Sequence, residues 1–222
     1  MKETDTRKKA RLIALIVLHL SAVIVTVFAV QSFFVAGGEG NMSVTGAVAF
    51  RYFTVDSNVL AAVSSFIMMI CAAKQLGGSH EPPGWARLLS LAATVAVTLT
   101  MLTVVLYLGP FVYGYPALFK GLNLPLHLTT PLTELAAFVW LESVGAARIK
   151  RRFMIIGVAP MFVYGAVYLV MVVVLKRWPD FYAFNTDGTF GLTVLIMTAF
   201  TAAISYAVGL AANLVAKKSA GR

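Results

Sequence analysis

Charged residues are scarce in this sequence. Only 12% of its 222 residues are Asp, Glu, Lys or Arg, whereas 59% are hydrophobic. A soluble domain carries about 25% charged residues and roughly 45–50% apolar ones. The chain therefore lacks the polar surface that a water-soluble globule needs, and soluble function classes are excluded.

Cysteine is almost absent, since Cys71 is the single one in the chain. One thiol excludes a disulfide framework and a thiolate metal site. The alternation of apolar and polar residues over about 10 positions, typical of membrane β-strands, is also missing. These absences exclude a disulfide-stapled secreted fold and a transmembrane barrel.

Long apolar runs are what the sequence has in abundance. They predict membrane spans at 12–35, 52–73, 88–113, 122–143, 153–175 and 189–215. A run of about 20 residues crosses ~30 Å of hydrocarbon at ~1.5 Å per residue. The first run exceeds the roughly 7–15 residues of a signal-peptide core, so it is predicted to be a retained helix. We expect an all-α, polytopic membrane protein whose residues 1–222 form a single six-helix bundle.

Lysine and arginine are unevenly divided between the loops that these spans define. Fourteen lie in the termini and in the second and fourth loops, and four lie on the other side. The positive-inside rule then predicts cytoplasmic termini in a plasma (inner) membrane. The basic clusters are interpreted as orientation signals and contacts for membrane lipids, so nucleic acid is not a predicted partner. The aromatic loop 178–184 is predicted to lie at the outer headgroup level.

Four ionisable residues lie inside the predicted spans, namely His19, Asp56, His127 and Glu134. Such residues are costly in hydrocarbon and are candidates for function. A haem shared by the two histidines is disfavoured because their depths differ by ~10 Å. We therefore predict no cofactor and no metal.

Small polar residues recur at helical spacing in the second and fourth spans. The two sets are Thr54, Ser57, Asn58, Ala61 and Ser65, and Asn123, His127, Thr130 and Glu134. Each set shares one helix face. With both spans starting at the outer side, Thr54 and His127 lie roughly 3–6 Å below it. A hydroxyl beside an imidazole suits nucleophilic catalysis, although hydrogen bonds between helices also explain these residues.

Two segments resemble the androgen-induced-gene family of multi-pass membrane hydrolases. They read Arg-Tyr-Phe-Thr at 51–54 and Asn-Leu-Pro-Leu-His-Leu-Thr-Thr-Pro-Leu at 123–132. The first also resembles an uncharacterised bacterial integral-membrane branch through Tyr-Phe-Thr-x-x-Ser-Asn. One extra residue separates His127 from its Thr-Thr pair, unlike the family pattern. The resemblance implies hydrolysis of lipid esters, notably fatty acid esters of hydroxy fatty acids, with Thr54 as nucleophile and His127 as general base.

Other polar residues near this pair are candidates for substrate contacts. Asn58 or Asn123 is predicted to donate to an oxyanion, with helix capping or bridging as the alternative. Arg51 is predicted to receive a substrate carboxylate or to anchor the helix at the interface. Asp56 points about 200° away from Thr54 around the helix, and we expect it to pair with a basic group or a neighbouring span.

Three functions remain open from the sequence. The first is a hydrolase whose partners are membrane lipids and a lipid-ester substrate. The second is a small-solute transporter or channel, for which only His19, Asp56 and Glu134 supply a polar path. The third is a non-catalytic membrane scaffold whose polar faces serve packing. The sequence specifies neither a substrate nor an oligomeric state.

Overall fold

The computed structural model describes residues 5–35, 45–78, 81–144, 146–185 and 188–220. Within these ranges the chain forms helices and no strand, which confirms the all-α class. The main helical segments are α1 (Asp5–Ser32), α2 (Phe53–Leu76), α3 (Gly84–Tyr113), α4 (residues 125–142), α5 (Arg151–Val174) and α6 (Phe190–Ala220). Short helices at Gly46–Arg51 and Tyr115–Leu118 precede α2 and α4.

Five of these segments are long and apolar enough to cross a membrane, and α4 is the exception. Residues 122–143 are predicted as a sixth span from the sequence. The structure divides this region into Pro125–Thr129, Thr130–Ala136 and Ala137–Glu142, with π-type turns in the first and third pieces. A multi-pass membrane protein is therefore supported, whereas the count of six spans is not confirmed exactly.

Two of the π-helical segments lie at proline residues. Pro110 lies inside the π-helix Val104–Tyr113 at the end of α3. Pro131 follows the π-helix Pro125–Thr129 in α4. A proline has no N–H to donate to the carbonyl four residues earlier, so the helix ladder must widen or shift nearby. The start of α4 and the end of α3 therefore depart from regular α-helix.

The centre of the bundle is α3. In its most apolar window 67% of the residues are buried, against 22–28% in the other four candidate spans. It contacts α2, α4, α5 and α6. Its buried positions include many small residues, among them Ala86, Ser90, Ala93 and Ala96. Small side chains let neighbouring membrane helices approach closely, which explains the central position of α3.

One glycine permits a close approach of three helices. A Cβ atom added at Gly157 on α5 would overlap the Oγ atom of Ser205 on α6. The same atom would lie 2.9 Å from the Cγ2 atom of Val95 on α3. Any larger side chain would push these helices apart.

The aromatic loop after α5 packs against the helix bundle. Asp180 organises it, because its carboxylate accepts the Tyr168 hydroxyl at 2.7 Å and the backbone N–H of Asn185 at 2.7 Å. Tyr182 is consequently only 7% exposed and packs among the aromatic rings near the start of α2. Tyr182 therefore faces the protein rather than its surroundings.

The path of α4 and the orientation of the bundle are testable by thiol labelling. In a Cys71→Ala background, a cysteine at Lys120 should react with an impermeant maleimide in intact cells, whereas one at Arg148 should react only after lysis. Both positions are exposed and flank α4, and the charge split predicts the outer side for Lys120. Gly38 and Asp187, in the first and fifth loops that the charge split predicts to be outside, lie outside the described residues. Thr45 and Glu81 are described and exposed, and they serve as controls for the predicted outer and inner sides. Equal labelling at Lys120 and Arg148 in intact cells would show that α4 does not cross.

Candidate active site

Both polar faces predicted from the sequence point into the bundle. Every polar member of the sets on α2 and α4 is at most 5% exposed. Asp56, on the opposite side of α2, is only half-buried. The helical spacing in the sequence therefore identified the inward faces correctly.

Thr54 lies at the start of α2, on the wall of a cavity of about 210 Å³. We call this space the Thr54 cavity. Its walls come from α2, α3, α5, α6 and the aromatic loop, and they include Leu99, Leu108, Met161, Met197 and Tyr182. Thr54 thus presents a hydroxyl-bearing side chain to an almost entirely apolar space.

His127 is held in one orientation by the short connection before α4. Its Nδ1 atom donates to the carbonyl oxygen of Leu118 at 2.6 Å. A carbonyl can only accept, so the proton of a neutral imidazole lies on Nδ1 and the lone pair on Nε2 is left to accept a proton. The ring is 3% exposed, and it does not form part of the Thr54 cavity wall.

Asn58 ties the Thr54 turn to the His127 turn. Its Nδ2 atom donates to the carbonyl oxygens of Thr54 at 2.7 Å and of Leu126 at 3.0 Å. Leu126 directly precedes His127. The side-chain amide of Asn58 therefore connects the helix turn that carries Thr54 with the turn that carries His127. Among the hydrogen bonds of the described residues, none joins the Thr54 hydroxyl to the His127 imidazole.

The three predicted substrate-contacting residues already have other contacts. Both Nδ2 hydrogens of Asn58 are engaged by backbone carbonyls, so no N–H of its side chain is left for an oxyanion. Asn123 donates from Nδ2 to the carbonyl of Ala117 at 3.2 Å. The Arg51 guanidinium lies 5.8 Å from the ring centroid of Trp178. Asn58 therefore bridges helices, the alternative considered for it, and Arg51 contacts an aromatic ring near the start of α2.

Tyr182 is a site residue that the sequence did not reveal. Its hydroxyl oxygen accepts the backbone N–H of Phe53 at 2.9 Å, and its side chain lines the Thr54 cavity. Burial raises the pKa of the Tyr182 phenol, so the group stays protonated around neutral pH. No local pattern could have indicated this, because the residue comes from a loop 128 positions after Thr54.

A second polar cluster joins four helices deeper in the bundle. His19 on α1 contacts Ser65 on α2 through Nδ1 at 3.0 Å, and the Ser65 hydroxyl donates to Glu134 on α4 at 2.5 Å. On the other side, His19 Nε2 lies 3.3 Å from a carboxylate oxygen of Glu142, which also accepts from Ser90 on α3. We call these five residues the His19 cluster.

The order carboxylate, imidazole, hydroxyl in this cluster is the order of a catalytic triad. Every member is at most 6% exposed, and neither cavity described for this protein is lined by one of them. The Ser65 hydroxyl is directed at Glu134 rather than at open space. Within the described residues, no group of three His, Cys, Asp or Glu side chains is placed to hold a metal ion. The cluster is therefore interpreted as an interhelical connection.

The sequence pattern did not identify Glu142 as a partner of His19, nor Ser90 as a partner of Glu142. Glu142 follows Glu134 by eight residues, a spacing that belongs to the same helical stripe. That spacing was the available signal for Glu142. The sequence contains no such signal for Ser90, because serine is common in membrane helices and its partner Glu142 lies 52 positions away.

No protein-family model, curated protein or solved structure matches this chain. The resemblance to the androgen-induced-gene family therefore rests on its two short segments. The roles of Thr54 as nucleophile and of His127 as general base remain predictions, and the positions of these side chains are the remaining support for them.

The His19 cluster predicts a sharp difference between two adjacent serines. Ser65→Ala should lower the free energy of unfolding in detergent by about 1–2 kcal/mol, because His19 and Glu134 both lose a partner. Ser64→Ala is the matched control, since the Ser64 hydroxyl is equally buried and has no hydrogen-bond partner among the described residues. Denaturant unfolding of the two variants measures the difference. Equal stabilities would contradict the assignment.

Proposed function

We propose that this protein is an integral-membrane hydrolase of lipid esters, with Thr54 as the nucleophile and His127 as the general base. The observation that carries the proposal is the location of Thr54 on the wall of an apolar cavity. Its helix turn is tied by Asn58 to the turn bearing an imidazole with a free Nε2. A hydroxyl needs such a proton acceptor to attack efficiently.

The Thr54 cavity suits the apolar part of an ester. Its lining is aliphatic and aromatic, with hydroxyl groups from threonines and tyrosines as the polar exceptions. Ligand sites typically combine such apolar walls with a few placed polar groups that fix orientation. An acyl chain in this cavity would place its ester carbonyl at Thr54.

Hydrolysis then proceeds in two halves. The Thr54 Oγ1 atom attacks the ester carbonyl carbon while its proton passes to Nε2 of His127. The tetrahedral intermediate collapses, the C–O bond to the alcohol breaks, and the imidazolium returns the proton to the departing alcohol. Water, deprotonated by the same nitrogen, attacks the acyl-threonine and releases the carboxylic acid.

The step requires the imidazole to move into contact with Thr54. Catalytic hydrogen bonds are often long without substrate and shorten in the substrate complex, so the absence of a direct contact does not exclude the pair. His127 lies in the π-helical segment Pro125–Thr129, and π-type turns are common at functional positions.

Tyr182 is the best-placed donor for the developing oxyanion. Its oxygen accepts from Phe53, so its own proton remains for donation, and it shares the cavity with Thr54. A donor preorganised in a site without water stabilises charge that develops in the transition state. Tyr182 thus replaces Asn58 in the oxyanion role.

The cavities favour hydrolysis over transport. A transport path would connect the ionisable residues across the bundle. His19 and Glu134 are instead enclosed in the His19 cluster and line neither described cavity. The Thr54 cavity, at about 210 Å³, is instead suited to holding one apolar group.

Mutation of the pair gives the direct test. Thr54→Ala should abolish covalent labelling of the purified protein by a lipophilic fluorophosphonate, because the attacking oxygen is gone. His127→Ala should slow labelling and ester turnover by about 10²–10⁴-fold. The double variant should be no slower than the Thr54 variant, since residues that act as a unit fail together. Labelling kinetics and turnover of a long-chain nitrophenyl ester measure these effects.

Two matched variants separate chemistry from packing. Thr54→Ser keeps the hydroxyl and should retain activity, and Thr103→Ala removes another threonine of the same cavity and should label like the parent. Thermal unfolding in detergent verifies that each protein is folded. A folded Thr54→Ala protein that labels and hydrolyses normally would disprove the assignment.

The oxyanion role makes a separate prediction. Tyr182→Phe should lower kcat by about 10²–10³-fold with little change in KM, because the donor acts on the transition state. Tyr113→Phe removes a phenol that donates to Phe181 outside the Thr54 cavity, and it should keep parental kcat. Michaelis profiles of both variants measure the effect. A kcat for Tyr182→Phe within a factor of about three of the parent would exclude the role.

A further inference from the structure

A second and larger cavity lies on the outside of α2. It has a volume of about 700 Å³, and α2, α3 and α5 form its walls. We call it the Asp56 groove, and its lining includes Phe50, Asp56, Leu60, Ala92 and Val163. Val163 is 67% exposed, so the groove opens sideways toward the lipid rather than into the bundle.

The groove is separate from the Thr54 cavity. Phe53 and Tyr164 line both spaces, with their ring centroids 5.1 Å apart, and so form a shared wall. Asp56 lies beyond that wall, on the side of α2 away from Thr54, as its helical position predicts. The hydrolytic chemistry proposed for Thr54 does not use this space.

Asp56 is the one charged side chain among the residues that line the groove. Within the part of the chain that the structure describes, no lysine, arginine or histidine lies within salt-bridge distance of it. Of the two alternatives expected for Asp56, a basic group or a neighbouring span, the basic group is therefore not found among these residues. Two polar neighbours in the lining are already engaged, because Ser57 bonds Thr100 and Tyr164 donates to the Arg51 carbonyl.

An unpaired carboxylate in an apolar groove favours a cationic ligand. Carboxylates at membrane depth are costly unless a counter-charge accompanies them, and this groove supplies none from the described residues. A ligand with a phosphate or carboxylate head would meet a like charge at Asp56. A small soluble amine would leave the apolar length of the groove unfilled.

We propose that the Asp56 groove binds a long-chain cationic amphiphile that enters from the membrane. Its ammonium group pairs with the Asp56 carboxylate, and its chain packs along the aliphatic walls toward Leu88 and Ala92. The sideways opening allows a molecule dissolved in the lipid to enter without crossing water. The site is non-covalent and independent of the hydrolytic pair.

Native tryptophans allow a direct test. Trp85 and Trp178 line the groove, whereas Trp140 does not, so Trp140→Phe leaves reporters only at the groove. In nonionic detergent, a chain-brominated alkyltrimethylammonium should quench their fluorescence at a lower mole fraction than a brominated alkyl maltoside of the same chain length. Asp56→Asn should raise the half-quenching mole fraction of the cation about fivefold, toward that of the maltoside.

Two further variants control for charge and folding. Asp56→Glu keeps the carboxylate and should preserve the preference for the cation. Asp5→Asn makes the same change in net charge at an exposed position in α1 and should also preserve it. The comparison of the cationic with the neutral probe in the Trp140→Phe protein tests the proposal even if the Asp56→Asn protein does not fold.

Three outcomes would overturn the proposal. The first is equal quenching by the cationic and the neutral probe in the Trp140→Phe protein. The second is an unchanged preference for the cation in folded Asp56→Asn. The third is stronger quenching by a brominated fatty acid than by the cation. None of these quenching measurements depends on the activity of the Thr54 site.

Discussion

Polar groups inside a membrane bundle must find partners within the protein, and the His19 cluster is where this constraint is strongest. His19, Ser65, Ser90, Glu134 and Glu142 come from α1, α2, α3 and α4, and hydrogen bonds and one imidazole–carboxylate contact at 3.3 Å connect them. Rotating any of these helices would leave a carboxylate or an imidazole without a partner in an apolar interior. The cluster therefore sets how α2 and α4 are rotated relative to each other.

That rotation decides what lies at the other ends of α2 and α4. The face of α2 that carries Ser65 also carries Asn58 and Thr54, and the face of α4 that carries Glu134 also carries His127. Once the deeper contacts are made, the turns of Thr54 and His127 must approach each other, and Asn58 closes the gap between them. The candidate site is thus a consequence of how the bundle is held together.

The start of α2 separates two cavities. Thr54 lines the smaller one, and Asp56, two residues later, lines the larger groove. The Phe53 and Tyr164 rings separate the two, and Tyr182 covers the backbone at the helix start. The apolar Thr54 cavity with its few hydroxyl groups suits an oriented ester, whereas the sideways access of the groove suits reversible exchange with membrane lipids.

Composition and periodicity alone were enough for the all-α class, the membrane character, the inward faces of α2 and α4, and the outward direction of Asp56. These are local properties, because the length of an apolar run and the 3.6-residue period depend only on residues that are close together in the sequence. The tertiary structure decided the irregular course of α4, the joining of Glu142 and Ser90 to His19, and the engagement of Asn58 with two carbonyls. It also placed Tyr182 over Phe53, a contact between residues 129 positions apart. Such contacts depend on which side chains can fill and satisfy one shared space, and no pattern within a single helix carries that information.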